Sequence, residues 1–150
     1  MRKPFWPVLL VLAGLLLARA AGAEDLLMAR VPMTFPEAMS KLQETLKKHG
    51  QTLSRVQRVD IGLTAKGYQT DKYRVVFFGR AEEVRDLTNR YPEFIPYLPH
   101  KIAIFAEEDE TLLVAANPEQ LFQNDDPEQQ AIVRRWREDL ETIFHDMRKE

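Results

Sequence analysis

The pattern near the carboxyl end limits the fold more than any other feature. Val133, Trp136, Leu140, Phe144 and Met147, joined by Ile132 and Ile143, recur three and four residues apart. That spacing lays a wide apolar stripe along one face of a helix. Asp126 is placed to cap it, Pro127 suits the first helical position, and Gln129 is expected to complete a variant of the capping box. The reading predicts a helix over residues 127–148, about 33 Å long at roughly 1.5 Å per residue. Such a rod cannot bury its stripe alone and needs a second layer to lie across. In a chain of 150 residues that layer has to come from the same single domain.

The first 23 residues are read as an address and not as part of that domain. Arg2 and Lys3 start the chain, Val8 to Leu17 is apolar but for Gly14, and an Ala-x-Ala site ends at Ala23. This is the three-part pattern of a secretory signal peptide. Ten residues as a helix span about 15 Å, half of a hydrocarbon core of roughly 30 Å. The alternative is an uncleaved amino-terminal anchor starting near Phe5. Cleavage after Ala23 leaves residues 24–150 as one domain, with no stable membrane anchor. It also removes Arg2, Lys3 and Arg19 and no acid, taking the formal charge from −2 to −5. That sign argues against a protein that tracks nucleic-acid phosphates. No cysteine occurs, which excludes disulfides, thiolate metal sites, thiol catalysis and a lipid anchor on cysteine. The address is periplasmic.

Between leader and final helix the elements are short. Leu26 to Met33 reads as a strand. Thr34 then starts a helix, with Glu37 reaching back as a capping box and Pro36 in the first turn. Phe35, Ala38, Met39, Leu42 and Leu46 make its apolar stripe, and Gly50 stops it. Gln51 to Asp60 is read as a strand, although Leu53, Val56 and Val59 also fit a helix. Residues 62–67 make a turn or short helix. Tyr73 to Arg80, with Val75-Val76-Phe77-Phe78, is a central strand, and Ala81 to Tyr91 a minor helix. Pro92, Pro96 and Pro99 predict an extended loop. Lys101 to Ala106 and Thr111 to Ala116 form a hairpin about the acidic run Glu107–Glu110, and Asn117-Pro118 closes it. The fold class expected is α+β: a curved antiparallel sheet of about five strands, one face covered by two main helices, in the order strand, helix, four strands, helix, with the minor helix before the fourth strand. The other face is left for solvent or a partner.

Several of these pieces resemble one family. Phe35-Pro36-Glu37-Ala38, the helix ending His49-Gly50, the strand Val75-Val76-Phe77-Phe78-Gly79, the loop Tyr97-Leu98-Pro99 and the strand ending Asn117-Pro118 follow one another in the order seen in the domain of unknown function 302. The resemblance spans roughly residues 25 to 122. It implies the same small antiparallel sheet and a homodimer, and it carries no established activity. Many members look as if they hold cysteine directly after the Leu-Pro pair; here that place is His100.

The best ligand-binding candidates are Tyr91, Tyr97 and His100, on the proline-rich segment between a helix and a buried strand. His100 is a candidate proton shuttle, metal ligand or haem ligand, and its plainer reading is a surface histidine at a strand entrance. His49, in the last turn of a helix, and His145, off the apolar stripe, are the other imidazoles, and nothing in the sequence brings the three together. Gly62 and Gly67 have phosphate-loop spacing without the Lys-Ser/Thr that would follow. The acidic run lacks the alternation of a calcium loop. Arg134, Arg135 and Arg137 read as a solvated face beside Glu138, Asp139 and Glu141. Ser40 and Ser54 do not sit in a Gly-x-Ser-x-Gly elbow. The sequence names no catalytic residue and no metal ligand, and its cofactor is unknown. The expectation is an exported module that binds a small ligand or an envelope protein. The alternatives are a haem- or metal-dependent enzyme or redox-linked protein using His100, and a structural partner of an envelope complex.

Overall fold

Strict alternation decides which side of each strand meets the helices. In β1 (Leu26–Val31) the odd-numbered Leu27, Ala29 and Val31 are buried and the even-numbered residues are exposed, the period-2 pattern of a sheet with one covered face. The computed structural model describes residues 25–149, so the signal peptide expected over residues 1–23 lies outside the described residues. After β1 come α1 (Phe35–Lys48), β2 (Thr52–Arg58), α2 (Val59–Thr64), β3 (Tyr73–Gly79) and α3 (Ala81–Arg90). A 3-10 helix (Pro92–Tyr97), β4 (His100–Glu107), β5 (Glu110–Ala116), α4 (Pro118–Leu121) and α5 (Pro127–Arg148) complete the chain. The strands lie in the order β1-β5-β4-β3-β2, each antiparallel to its neighbours. This is the α+β fold expected, with α1 and α5 on one face.

The buried layer joins Val31, Val76, Phe78, Ile102, Ile104 and Leu113 of the sheet to Ala38, Leu42 and Leu46 of α1 and Leu140, Ile143, Phe144 and Met147 of α5. Removing a leucine- or phenylalanine-sized side chain from water contributes about 1.5–3 kcal/mol, so this layer dominates stability. Helix ends are set locally. The Glu37 carboxylate accepts from the Thr34 N–H at 3.0 Å and from its hydroxyl at 2.6 Å. Gly50 takes the left-handed conformation, φ 67°, that releases the chain from α1 into β2. Asp126 accepts from the N–H groups of Glu128 and Gln129 at 2.9 and 3.0 Å.

The structure departs from the sequence reading in four places. The segment after α3 is a 3-10 helix and not an extended loop, because Pro92 sits at its first position, where a missing N–H costs nothing, and Phe94 is fully buried beneath it. Of the residues before these prolines, Leu98 keeps the extended backbone expected, just after the helix. Residues 59 and 60 belong to α2 and not to the second strand, whose ladder on β3 stops at Arg58. Asn117 and Pro118 do more than close a strand: the Asn117 side chain accepts from the Glu119 N–H at 3.1 Å and caps the short α4. Gln129 completes no capping box. Its side chain is buried and donates to Glu93 at 2.6 Å, tying α5 to the 3-10 helix, while Asn124 takes the Asp126 N–H at 3.2 Å.

Candidate functional site

A second, smaller cluster positions the segment singled out in the sequence. Phe94, Leu87, Val133 and Trp136 are buried together, with Tyr91, Leu98, Phe122 and Ile132 packed around them. Phe94 meets Trp136 edge-on at 4.9 Å and Phe122 at 4.6 Å between ring centroids. Tyr97 stands edge-on to Phe122 at 5.3 Å. The two edge-to-face contacts and the tilted Phe94–Phe122 pair fix ring orientations beyond what apolar burial alone does.

His100, at the start of β4, is the centre of the site and is not the surface residue of the plainer reading. Its ring lies 5.0 Å from Trp136 and 5.7 Å from Phe78, between the two. Burial pushes its pKa down to about 4, against the pull of the Glu83 and Asp139 carboxylates. The imidazole is therefore neutral at pH 7. The error has a simple source: residue 100 has the even parity of the buried Ile102 and Ile104, and the helix face of β4 begins one residue earlier than the apolar run suggests.

His100 and Tyr97 line one pocket with Pro96, Lys101, Ala116, Pro118, Leu121, Phe122, Trp136 and Leu140, of about 90 Å³. Tyr91 does not join them. It packs edge-on against Phe94 at 5.6 Å under the Arg90 guanidinium, and its phenol is raised above its ordinary pKa by a hydrogen bond with Glu128. Trp136, Phe122, Leu121 and Lys101 are site residues that the sequence reading missed. Trp136 was assigned to the core, where it also belongs. Leu121 and Phe122 carry no local signal, because only the tertiary fold brings α4 beside the strand entrance, and Lys101 has the parity of the opposite sheet face.

A charged girdle closes the core side of this site. Glu83 accepts from the Trp136 Nε1–H at 3.2 Å and from Arg135. Burial works against its ionisation, but those bonds outweigh it and hold the carboxyl below the usual range. Arg80 donates to Asp139 at 2.9 Å and to the His49 carbonyl at 3.3 Å. The basic cluster of α5 is thus not merely solvated: Arg135 reaches Glu83, and Arg137 reaches Glu119 at 2.6 Å. His49 lies elsewhere, 2.8 Å from Asp146, whose pKa falls to about 2 under hydrogen bonds from Lys149 and His49. His145 is exposed. Among the described residues no group of three His, Asp or Glu gathers as for a metal ion, and no helix is long and apolar enough to cross a membrane.

The uncovered sheet face is the other candidate surface. By register, Met28, Val114, Ala103 and Val75 form one row across four strands, with Gln57 on β2. Leu26, Ala116, Lys101, Phe77 and Arg55 lie on one side of it, and Arg30, Leu112, Phe105 and Tyr73 on the other. Arg30 grips Glu107 through two bonds of 2.8 and 3.1 Å.

The family model described as domain of unknown function DUF302 matches residues 28–147. The chain belongs to this family. Among solved structures, this DUF302 chain is similar to that of an uncharacterized conserved DUF302 protein from Bacillus stearothermophilus, with a TM-score of 0.77 at 20% identity, covering 84% of this chain and 100% of the other. At that identity the likeness speaks for the fold alone. Among curated proteins, none matches the DUF302 chain.

Proposed function

We propose that the protein is an exported binding module of the periplasm that works as a homodimer and takes a small, largely apolar ligand between Tyr97, His100 and Trp136. The observation that carries this reading is the pocket itself: the proline-rich segment contributes Pro96 and Tyr97 to a concavity lined mainly by aromatic and apolar side chains. Binding sites are concave and apolar, with a few polar groups that fix orientation. A neutral imidazole with a pKa near 4 suits contact with an apolar ligand. It suits proton transfer poorly, since an efficient acid or base titrates near the operating pH.

The homodimer is argued from the uncovered face. Ten of its positions are apolar and contiguous, from Leu26 and Met28 across to Val75 and Phe77, a kind of surface that monomers rarely leave in water. Its ends are opposite in charge. Lys101 and Arg55 stand at one, and Glu107 and Glu110, beside Glu108 and Asp109 of the turn, at the other. A two-fold axis through the centre sets the basic end of one copy on the acidic end of its mate, the self-complementarity that an isologous interface requires.

Native mass spectrometry with an absorption spectrum, on protein purified from periplasm, tests the reading. The expected species starts at residue 24, has the mass of a dimer and carries a small organic adduct. A Soret band or stoichiometric metal lost in His100→Ala would replace it with the cofactor alternative. A stable heteromeric envelope complex without a small molecule would replace it with the structural one.

A further inference from the structure

The sheet is split beside the pocket. The β4–β5 ladder runs from Glu107↔Glu110 to Ala103↔Val114 and stops. Both strands continue past that point on their other neighbours, β4 to His100 against Phe78 and β5 to Ala116 against Leu26. The next rung would join Lys101 to Ala116, and these two residues line the pocket instead. Their backbone directions follow from the bonds on either side. The Asn117 N–H bonds the Asp25 carbonyl, turning residue 117 toward β1, and the Ala106 N–H bonds the Lys72 carbonyl, turning residue 106 toward β3. Backbone groups alternate along a strand. Ala116 and Lys101 therefore present their N–H and C=O groups to one another across the split.

Resting on the binding reading above, we infer that the ligand supplies the missing rung. It is a single-ring aromatic molecule bearing an amide-like edge, with a donor and an acceptor side by side. The ring occupies the space among Tyr97, Phe122 and Trp136, and the edge pairs with the backbone of Lys101 and Ala116. Size sets a limit: the pocket of about 90 Å³ is smaller than the roughly 150 Å³ that encloses a whole benzene ring, so it admits no more than one ring, and part of the ligand stays outside. A peptide-like edge is the group that a strand backbone recognises best, because its donor and acceptor match those of a neighbouring strand.

The test is a titration of the uniformly 15N-labelled protein followed by amide and indole resonances. Benzamide provides ring and edge, and toluene provides the ring alone. Benzamide is expected to bind about tenfold more tightly than toluene, the effect of one well-made hydrogen bond, and to move the Lys101 and Ala116 amides together with the Trp136 indole. Leu121→Phe, which enlarges a pocket-lining side chain outside the core layer, is expected to abolish the response. Equal binding of the two probes, with shifts at Trp136 alone, overturns the recognition edge and leaves the pocket reading standing. No shift with either probe at millimolar concentration overturns both. A benzamide response that survives Leu121→Phe places the ligand elsewhere and refutes the inference.

Discussion

Replacing His100 by phenylalanine should remove a defined part of the pH dependence of stability. An imidazole titrates near 6.5 in the unfolded chain and near 4 in the fold, because burial between Phe78 and Trp136 disfavours its charged form. The unfolded chain thus binds the proton more readily. Stability from this residue is complete above the unfolded pKa and is lost as pH falls from 6.5 toward 4. Linkage with these two values gives a loss of about 2 kcal/mol between pH 7 and pH 5. Urea unfolding at both pH values measures it, and the wild type should lose about 2 kcal/mol more than His100→Phe. The variant keeps an aromatic ring in the slot, so packing changes enter both pH values alike and cancel in the difference. Glu83, held below the ordinary carboxylate range, is present in both proteins, so its contribution cancels in the difference. An identical pH dependence in the two proteins would show that the imidazole is not desolvated in the fold, and the neutral site would fall with it.

Three further outcomes follow from contacts elsewhere. Phe94→Ala, which empties the centre of the second cluster, should cost about 3–5 kcal/mol in chemical denaturation; a cost under 1 kcal/mol would mean that the 3-10 helix is not anchored by that ring. Asp126→Ala removes the acceptor for two N–H groups at the start of α5 and should cost about 1 kcal/mol, with Asp126→Asn recovering most of it. Val75→Arg places a charge at the middle of the uncovered face and should give a folded monomer in sedimentation; an unchanged dimer would move the interface away from that face.

Much of the fold was legible because its signals are local. Periodicity alone located α1 and α5, and Thr34 with Glu37, Gly50, and Asp126 with Pro127 marked their ends within the segment concerned. The acidic turn at Glu108 and Asp109 announced the β4–β5 hairpin. The losses came where tertiary packing overrides local preference. Prolines 92 and 96 read as breakers, yet burial of Phe94 holds the segment in a tight helix that proline tolerates at its start. The candidate site was half legible. Tyr97 and His100 stand out by type and by their loop, but their partners Trp136, Phe122 and Lys101 come from α5, the stretch after α4, and the opposite parity of β4. No short stretch of sequence holds the site. Tyr91 was included because it is near in sequence, while its ring turns toward Phe94 and Glu128.

The binding claim can be read from one chromophore. Trp6 and Trp136 are the two tryptophans of the chain, so cleavage after Ala23 leaves Trp136, inside the pocket, as the only indole. Emission from the processed protein during titration with single-ring aromatic amides should change saturably, and the change should disappear in Leu121→Phe. Emission that stays constant across such compounds to millimolar concentration, in a protein whose fold is intact, would contradict a ligand site at Tyr97, His100 and Trp136.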